Sequence, residues 1–174
     1  MIPVPFTNLI FQDLRSKSLR GEIKDPVMLW EAAPGNALHL GEEGPTRAGV
    51  EGAGPTVEDP LVFLFTRELN RPGVTDLTIG RSDECNLVVN HESVSRVHAK
   101  LDRDAVTKRW RLTDLGSRLG TKVEGMRLIK GVPELLMDRV RVELGEVMLR
   151  FMSPAAFFAY LDKMTEHEDG SGPE

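Results

Sequence analysis

Three arginines, one serine and a set of glycine-bearing turns are the residues of this 174-residue chain whose types and spacing suit a definite chemistry. Arg81 follows Gly80 at the end of a short apolar run. Ser95 and Arg96 open the segment Ser95-Arg96-Val97-His98 after a polar turn, and Arg118 lies within DLGSRLGT, Asp114 to Thr121. A guanidinium offers a planar fork of charged donors, a serine hydroxyl adds a neutral one, and the N–H groups of tight loops form an anion-attracting concavity. Those are the parts that hold a phosphate dianion, provided the fold brings the three stretches together.

Other chemistries lack their parts. Ser95 with His98 suggests a nucleophile and base, but no GxSxG elbow, oxyanion motif or third member accompanies them, and a loop brace is the better reading of the pair. No catalytic residue is assigned, and the chain is not expected to be an enzyme. His39, His91 and His167 are scattered without a spacing such as HExxH, so no metal and no cofactor are expected. Cys85 is the only cysteine, which excludes an internal disulfide and reads as a small packed side chain. Gly49, Gly52 and Gly54 stand beside Pro55 in acidic surroundings and fit a linker better than a phosphate loop.

The elements that must position these residues are read from texture. From Leu61 onward short apolar or alternating runs are separated by turn residues, the pattern of an all-β sandwich of two antiparallel sheets. Strands are predicted near 61–68, 77–79, 86–88, 97–102, 109–113, 121–123, 127–128, 140–143 and 147–151. In a sandwich the inter-strand loops gather at two ends, so distant residues converge on one small surface. Ser153 and Pro154 form an N-cap and first-turn pair for a helix over 153–166, with Phe157, Leu161 and Met164 at helical spacing and packed against one end of the sandwich. Residues 167–174 read as a frayed tail. Residues 34–60 are rich in glycine, proline and acid, a flexible linker. Residues 1–33 form an N-terminal extension with two helical signals: Thr7 before Leu9, Ile10 and Leu14, and Asp25 with Pro26 before VMLWEAA. Trp110 reads as packing within a strand; Trp30 is either packing or a partner anchor.

Composition narrows the partners. The formal net charge is -5 and the pI about 5.5, so phosphate backbones and anionic lipid surfaces repel the chain as a whole. Neither nucleic acid nor a membrane is expected as ligand. The start MIPVPFTNLIFQDLR lacks a basic n-region and breaks early at Pro3 and Pro5, unlike a signal peptide, and the single cysteine fits a cytoplasmic setting.

In order along the chain, Gly80-Arg81, SVSRVHA (Ser93 to Ala99), DLGSRLGT, VEG (Val123 to Gly125) and DRVRVELG (Asp138 to Gly145) closely resemble the motifs of the forkhead-associated domain family, over about residues 61–152. The resemblance implies a β-sandwich whose loops bind phosphothreonine peptides without catalysis. It implies that Arg81 and Ser95 are phosphate ligands, that His98 braces the loop, and that Gly120 with Thr121 supports the second recognition loop. Two positions depart from the family pattern. Leu119 stands where asparagine usually clamps the ligand main chain, and Glu124 stands where VNG is usual. Losing that clamp costs about 0.5–1.5 kcal/mol; Arg118 can offset part of it with a charged donor.

The expected function is therefore a phosphothreonine-binding adaptor in serine/threonine kinase signalling, reading its partner through Arg81, Ser95, Arg96, Arg118 and Leu119, with Gly80, His98, Gly120 and Thr121 as supports. The alternative is a degenerate relative that binds protein surfaces, or itself, independently of phosphate. Thr56, in GPTVEDP, is a candidate phosphorylation site whose capture in trans would give a homodimer; the plainer reading is an unmodified linker residue.

Overall fold

The structure is a computed structural model that describes residues 4–5, 20–21, 23–31, 60–65, 69 and 75–168. The helical segment expected from Thr7, the linker core and Thr56 lie outside the described residues.

Twelve strands and a helix account for the described elements. They are β1 (Val4–Pro5), β2 (Val27–Trp30), β3 (Leu61–Leu64), β4 (Asp76–Gly80), β5 (Leu87–Val88), β6 (Ala99–Arg103), β7 (Trp110–Asp114), β8 (Thr121–Val123), β9 (Met126–Arg127), β10 (Glu134–Leu135), β11 (Arg141–Leu144), β12 (Val147–Met152) and α1 (Pro154–Glu168). One sheet has the order β1-β3-β2-β12-β11-β8-β9 and the other β10-β7-β6-β4-β5. The two-sheet sandwich is as expected, with one correction: β5 pairs with β4 in parallel, Ile79 opposite Leu87, so the second sheet is mixed.

Between the sheets lies the main core, including Met28, Phe63, Phe65, Leu77, Ile79, Leu101, Leu112, Val142, Leu144 and Leu149. Phe65 sits 5.3 Å from the Trp110 ring and 6.2 Å from Phe151, an aromatic cluster that joins the two layers. Trp30 belongs to this core and is not a partner anchor.

The segment VMLW corrects the helical expectation drawn from Asp25 and Pro26. It is the strand β2, paired antiparallel with β3 on one side and β12 on the other. Val27, Met28 and Leu29 are all wholly buried. Met28 and Trp30 face the sandwich, whereas Val27 and Leu29 join Val62, Leu64 and Met152 on the outer face. That outer face is covered by Ala156, Phe157, Phe158 and Leu161 of α1. Helix α1 therefore lies against the face of the sheet and not against one end of the sandwich. Its start is as the sequence suggests, with Ser153 Oγ accepting the Ala156 N–H at 3.2 Å and Pro154 in the first turn.

Candidate functional site

The loops of interest begin at Gly80. A Cβ at this position would run into the Arg96 carbonyl and stand 2.9 Å from Cys85 Sγ, so only glycine lets β4 end this close to the Ser95–Arg96 segment. Two backbone bonds fix the approach: the Arg81 N–H donates to the Ser95 carbonyl at 2.9 Å and the Ser82 N–H to the Arg96 carbonyl at 3.0 Å. The Cys85 thiol, buried as the sequence suggested, donates to the same Arg96 carbonyl at 3.2 Å. Burial pushes its pKa up, so it rests as an inert thiol.

His98 links this first loop to the second. It is wholly buried; its Nδ1 accepts the Ser95 N–H at 3.1 Å and its Nε2 lies 3.2 Å from the Gly120 carbonyl. An accepting Nδ1 and a carbonyl at Nε2 require the neutral tautomer with its proton on Nε2. Burial lowers the His98 pKa, against the opposing pull of the Gly120 carbonyl and of Asp114. The imidazole thus meets the Ser95 backbone rather than its hydroxyl. That geometry is a brace, and it leaves Ser95 without a base.

The second loop is organised by Asp114, a residue given no role of its own in the sequence reading. Its carboxylate accepts the N–H groups of Gly116 at 2.7 Å and Ser117 at 3.0 Å, and the hydroxyls of Ser117 and Thr121, both at 2.6 Å. Burial pushes its pKa up, but these hydrogen bonds outweigh it and hold the carboxyl below its ordinary value. Asx-type capture of two successive N–H groups is what folds DLGS into a tight turn. Gly120 has a φ of 86°, which a side chain would resist.

The result is that Arg118, on this loop, reaches the first. Its N–H donates to Ser95 Oγ at 3.0 Å, and its guanidinium donates to the Glu92 carbonyl at 3.2 Å. With its lone pair so occupied, the Ser95 hydroxyl has its own proton to give outward. An open pocket of about 640 Å³ adjoins it, lined by Ser82, Asp83, Glu84, Ser95, Arg96 and Val97. Arg81 and Arg96 are exposed beside it, and neither they nor Arg118 has an ion pair among the described residues.

Each expected site residue can now be placed. Arg81, Ser95, Arg96 and Arg118 come together through the bonds above. Gly80, His98, Gly120 and buried Thr121 lie beneath them. Leu119 is at the surface of the second loop, 39% exposed. Glu124 is elsewhere: it lies at the far end of β8 from Gly120, in the two-residue hairpin turn with Gly125, at φ 49° and 79°. Its carboxylate accepts the Arg141 N–H at 2.6 Å. That departure therefore bears on a turn and not on the loops. Two cations that sequence reasoning missed, Arg127 and Lys130, lie against Gly120 and Gly116. No three metal-ligating side chains cluster among the described residues, and no helix among them is long and apolar enough to cross a membrane.

The chain is thus a two-sheet β-sandwich that carries arginines, Ser95 and a histidine-braced pair of loops at one end. Residues 77–145 match the family model of the FHA domain, the forkhead-associated class, so this stretch of the chain is an FHA domain. FHA domains are interaction modules that generally bind phosphothreonine peptides. No curated protein matches the sequence. Among solved structures, the chain is similar to the MEK1 FHA domain in complex with a HOP1 pThr peptide, at 29% identity, covering 45% of this chain and 79% of that one, TM-score 0.41. It is also similar to the FHA domain of CT664 from Chlamydia trachomatis, at 25% identity, with 45% and 76% covered and a TM-score of 0.41. The FHA domain of an Arabidopsis thaliana hypothetical protein is 19% identical, with 76% and 88% covered and a TM-score of 0.48.

Proposed function

We propose that this chain binds threonine-phosphorylated segments of a partner through the loop end centred on Ser95, and serves as an adaptor downstream of a serine/threonine kinase. The observation that carries the reading is the Ser95 hydroxyl. Its oxygen takes the Arg118 N–H at 3.0 Å, and among the described residues nothing accepts its proton and no carboxylate pairs with Arg81 or Arg96 beside it. A phosphate dianion satisfies all of these donors at once, whereas an unphosphorylated threonine hydroxyl leaves both guanidinium groups unused.

Within this reading Arg81, Ser95 and Arg96 hold the phosphate, Arg118 and Leu119 meet the flanking peptide, and Gly80, His98, Gly120 and Thr121 keep the loops in register. Phosphorylation of Thr56 on a second copy would supply such a ligand in trans. Leu119, apolar and exposed, favours the second reading, binding of an apolar protein surface without phosphate. Calorimetric titration of the full chain with a degenerate phosphothreonine peptide library and its unphosphorylated twin separates the two. Binding confined to the phosphorylated set is expected; equal binding of both sets would overturn the proposal in favour of the second reading.

A further inference from the structure

On the outer face of the larger sheet a second pocket, of about 290 Å³, opens between α1 and the strands beneath it. Its floor is apolar: Met152 at the end of β12, and Ala156, Ala159 and the Tyr160 ring on one stripe of α1. α1 packs closely on the sheet through Phe157, Phe158 and Leu161, and the room arises where it presents the two alanines. The rim is charged, with Arg139, Arg150 and Lys163 against one carboxylate, Glu31. The turn between β11 and β12 meets the Ser95 loops, since the Gly145 N–H donates to the Gly120 carbonyl at 3.1 Å. Met152 is at the other end of β12, so the pocket lies away from those loops.

Two features of this rim work against stability. Arg139 has a φ of 64°, in the left-handed region that a residue with a side chain enters at a cost. Arg141 and Arg150 are paired positions of β11 and β12, so two cations stand directly opposite on one face, which weakens a sheet. The acids nearby are already engaged. Glu31 holds Arg150 through Nε and Nη2 at 2.9 and 3.0 Å, and Glu124 takes the Arg141 N–H at 2.6 Å. Asp138 accepts the Ser153 N–H and hydroxyl at 2.7 and 3.0 Å, and Asp162 pairs with Arg20. Among the described residues no carboxylate pairs with Arg139 or Arg141, and nothing accepts from Arg150 Nη1. Unused donors above an apolar floor suit an anion carried on an apolar body, whereas a bare phosphate would leave the floor wet. The volume, at the small end of ligand pockets of about 300–1,000 Å³, admits one side chain and not a folded element. The open mouth lets a chain continue from it into solvent.

We infer that this pocket binds the C-terminal residue of a partner polypeptide, with an apolar last side chain on Met152, Ala156 and Ala159 and its α-carboxylate on the Arg139 guanidinium and Arg150 Nη1. The carboxylate relieves the opposed cations, and the cost held at Arg139 aims a charged donor at the pocket. This docking point is independent of the Ser95 loops and needs no phosphorylation.

The test follows backbone amide shifts of the full chain by NMR during titration with an unphosphorylated, N-acetylated tetrapeptide ending in leucine, as the free acid and as its C-terminal amide. The acid should shift the amides of Arg139, Ala156, Ala159 and Tyr160 and bind about tenfold tighter than the amide. A peptide ending in serine should bind more weakly than the leucine acid. In R139G the ratio of acid to amide should fall toward one, and the fold is kept because glycine adopts this φ without strain. A159L, at an exposed helical position that leucine suits, should weaken the acid by filling the pocket. Equal binding of acid and amide, a ratio that survives R139G, or shifts confined to Ser95 and Arg96 would each overturn the inference. So would 4-methylpentanoate binding as tightly as the peptide acid, which would make this a site for a free small acid and not for a chain end.

Discussion

Removing residues 1–60, so that the chain begins at Leu61, takes away β2 from between β3 and β12. Each neighbour loses four paired positions. Val27, Met28 and Leu29 are wholly buried and Trp30 is 8% exposed, and burial of a large apolar side chain contributes about 1.5–3 kcal/mol. The four together contribute roughly 6–12 kcal/mol, against a total domain stability of about 5–15 kcal/mol. The deletion also removes Glu31, whose carboxylate holds Arg150 by two bonds at 2.9 and 3.0 Å. A chain starting at Leu61 should therefore fail to fold, although it contains every residue of the candidate site. Urea unfolding followed by far-UV circular dichroism reads this directly. The full chain should give one cooperative transition and the truncated chain none. Met28→Ala provides a graded control that keeps the strand and should destabilise by about 2–5 kcal/mol. A truncated chain that unfolds cooperatively at the midpoint of the full chain would refute the reasoning, because β2 would then be a dispensable attachment.

Three further outcomes are expected. Arg81→Ala should weaken phosphopeptide binding by about 1.5–3 kcal/mol in calorimetry with little change in the urea midpoint, since no described contact holds the Arg81 side chain; undiminished affinity would remove Arg81 from the site. Leu119→Asn should tighten binding by up to about tenfold if a main-chain hydrogen bond to the ligand is gained, while a loss of affinity would make Leu119 part of an apolar recognition surface. His98 has a folded pKa below its ordinary 6.5, so below that value the unfolded chain binds more protons and stability falls as pH drops toward the folded pKa, being fully present above 6.5. The slope of stability against pH in this window should be shallower in His98→Gln, and an identical slope would show that another group governs it.

Much of the site is legible in the sequence because its parts are local. Gly80 permits a close backbone approach, Asp114 folds the residues that follow it, and the Ser95–His98 spacing is short enough for the ring to meet the serine N–H. β4, β6, β7, β8, β11 and β12 likewise lie close to where alternation and turn residues put them. The very short strands are less legible: Glu134–Leu135 becomes β10 only because β7 offers it a partner. Arg127 and Lys130 are two of many charges in the chain; their aim at Gly120 and Gly116 follows from the hairpin that returns β9 along β8, a fact of register and not of composition.

VMLW marks the limit most clearly. Four apolar residues in a row have no period, so the run itself fits a helix turn or a doubly buried strand equally well, and Asp25-Pro26 before it favours the helix. What decides is contact with segments remote in sequence: β3 and β12 on its two edges, the sandwich core beneath Met28 and Trp30, and α1 above Val27 and Leu29. The sequence by itself determined the turns and the alternating strands, since those depend on near neighbours. Only the tertiary structure decided that the N-terminal segment completes the sheet and that Arg127 and Lys130 lie against Gly120 and Gly116, because those contacts come from chain segments that meet only once folded.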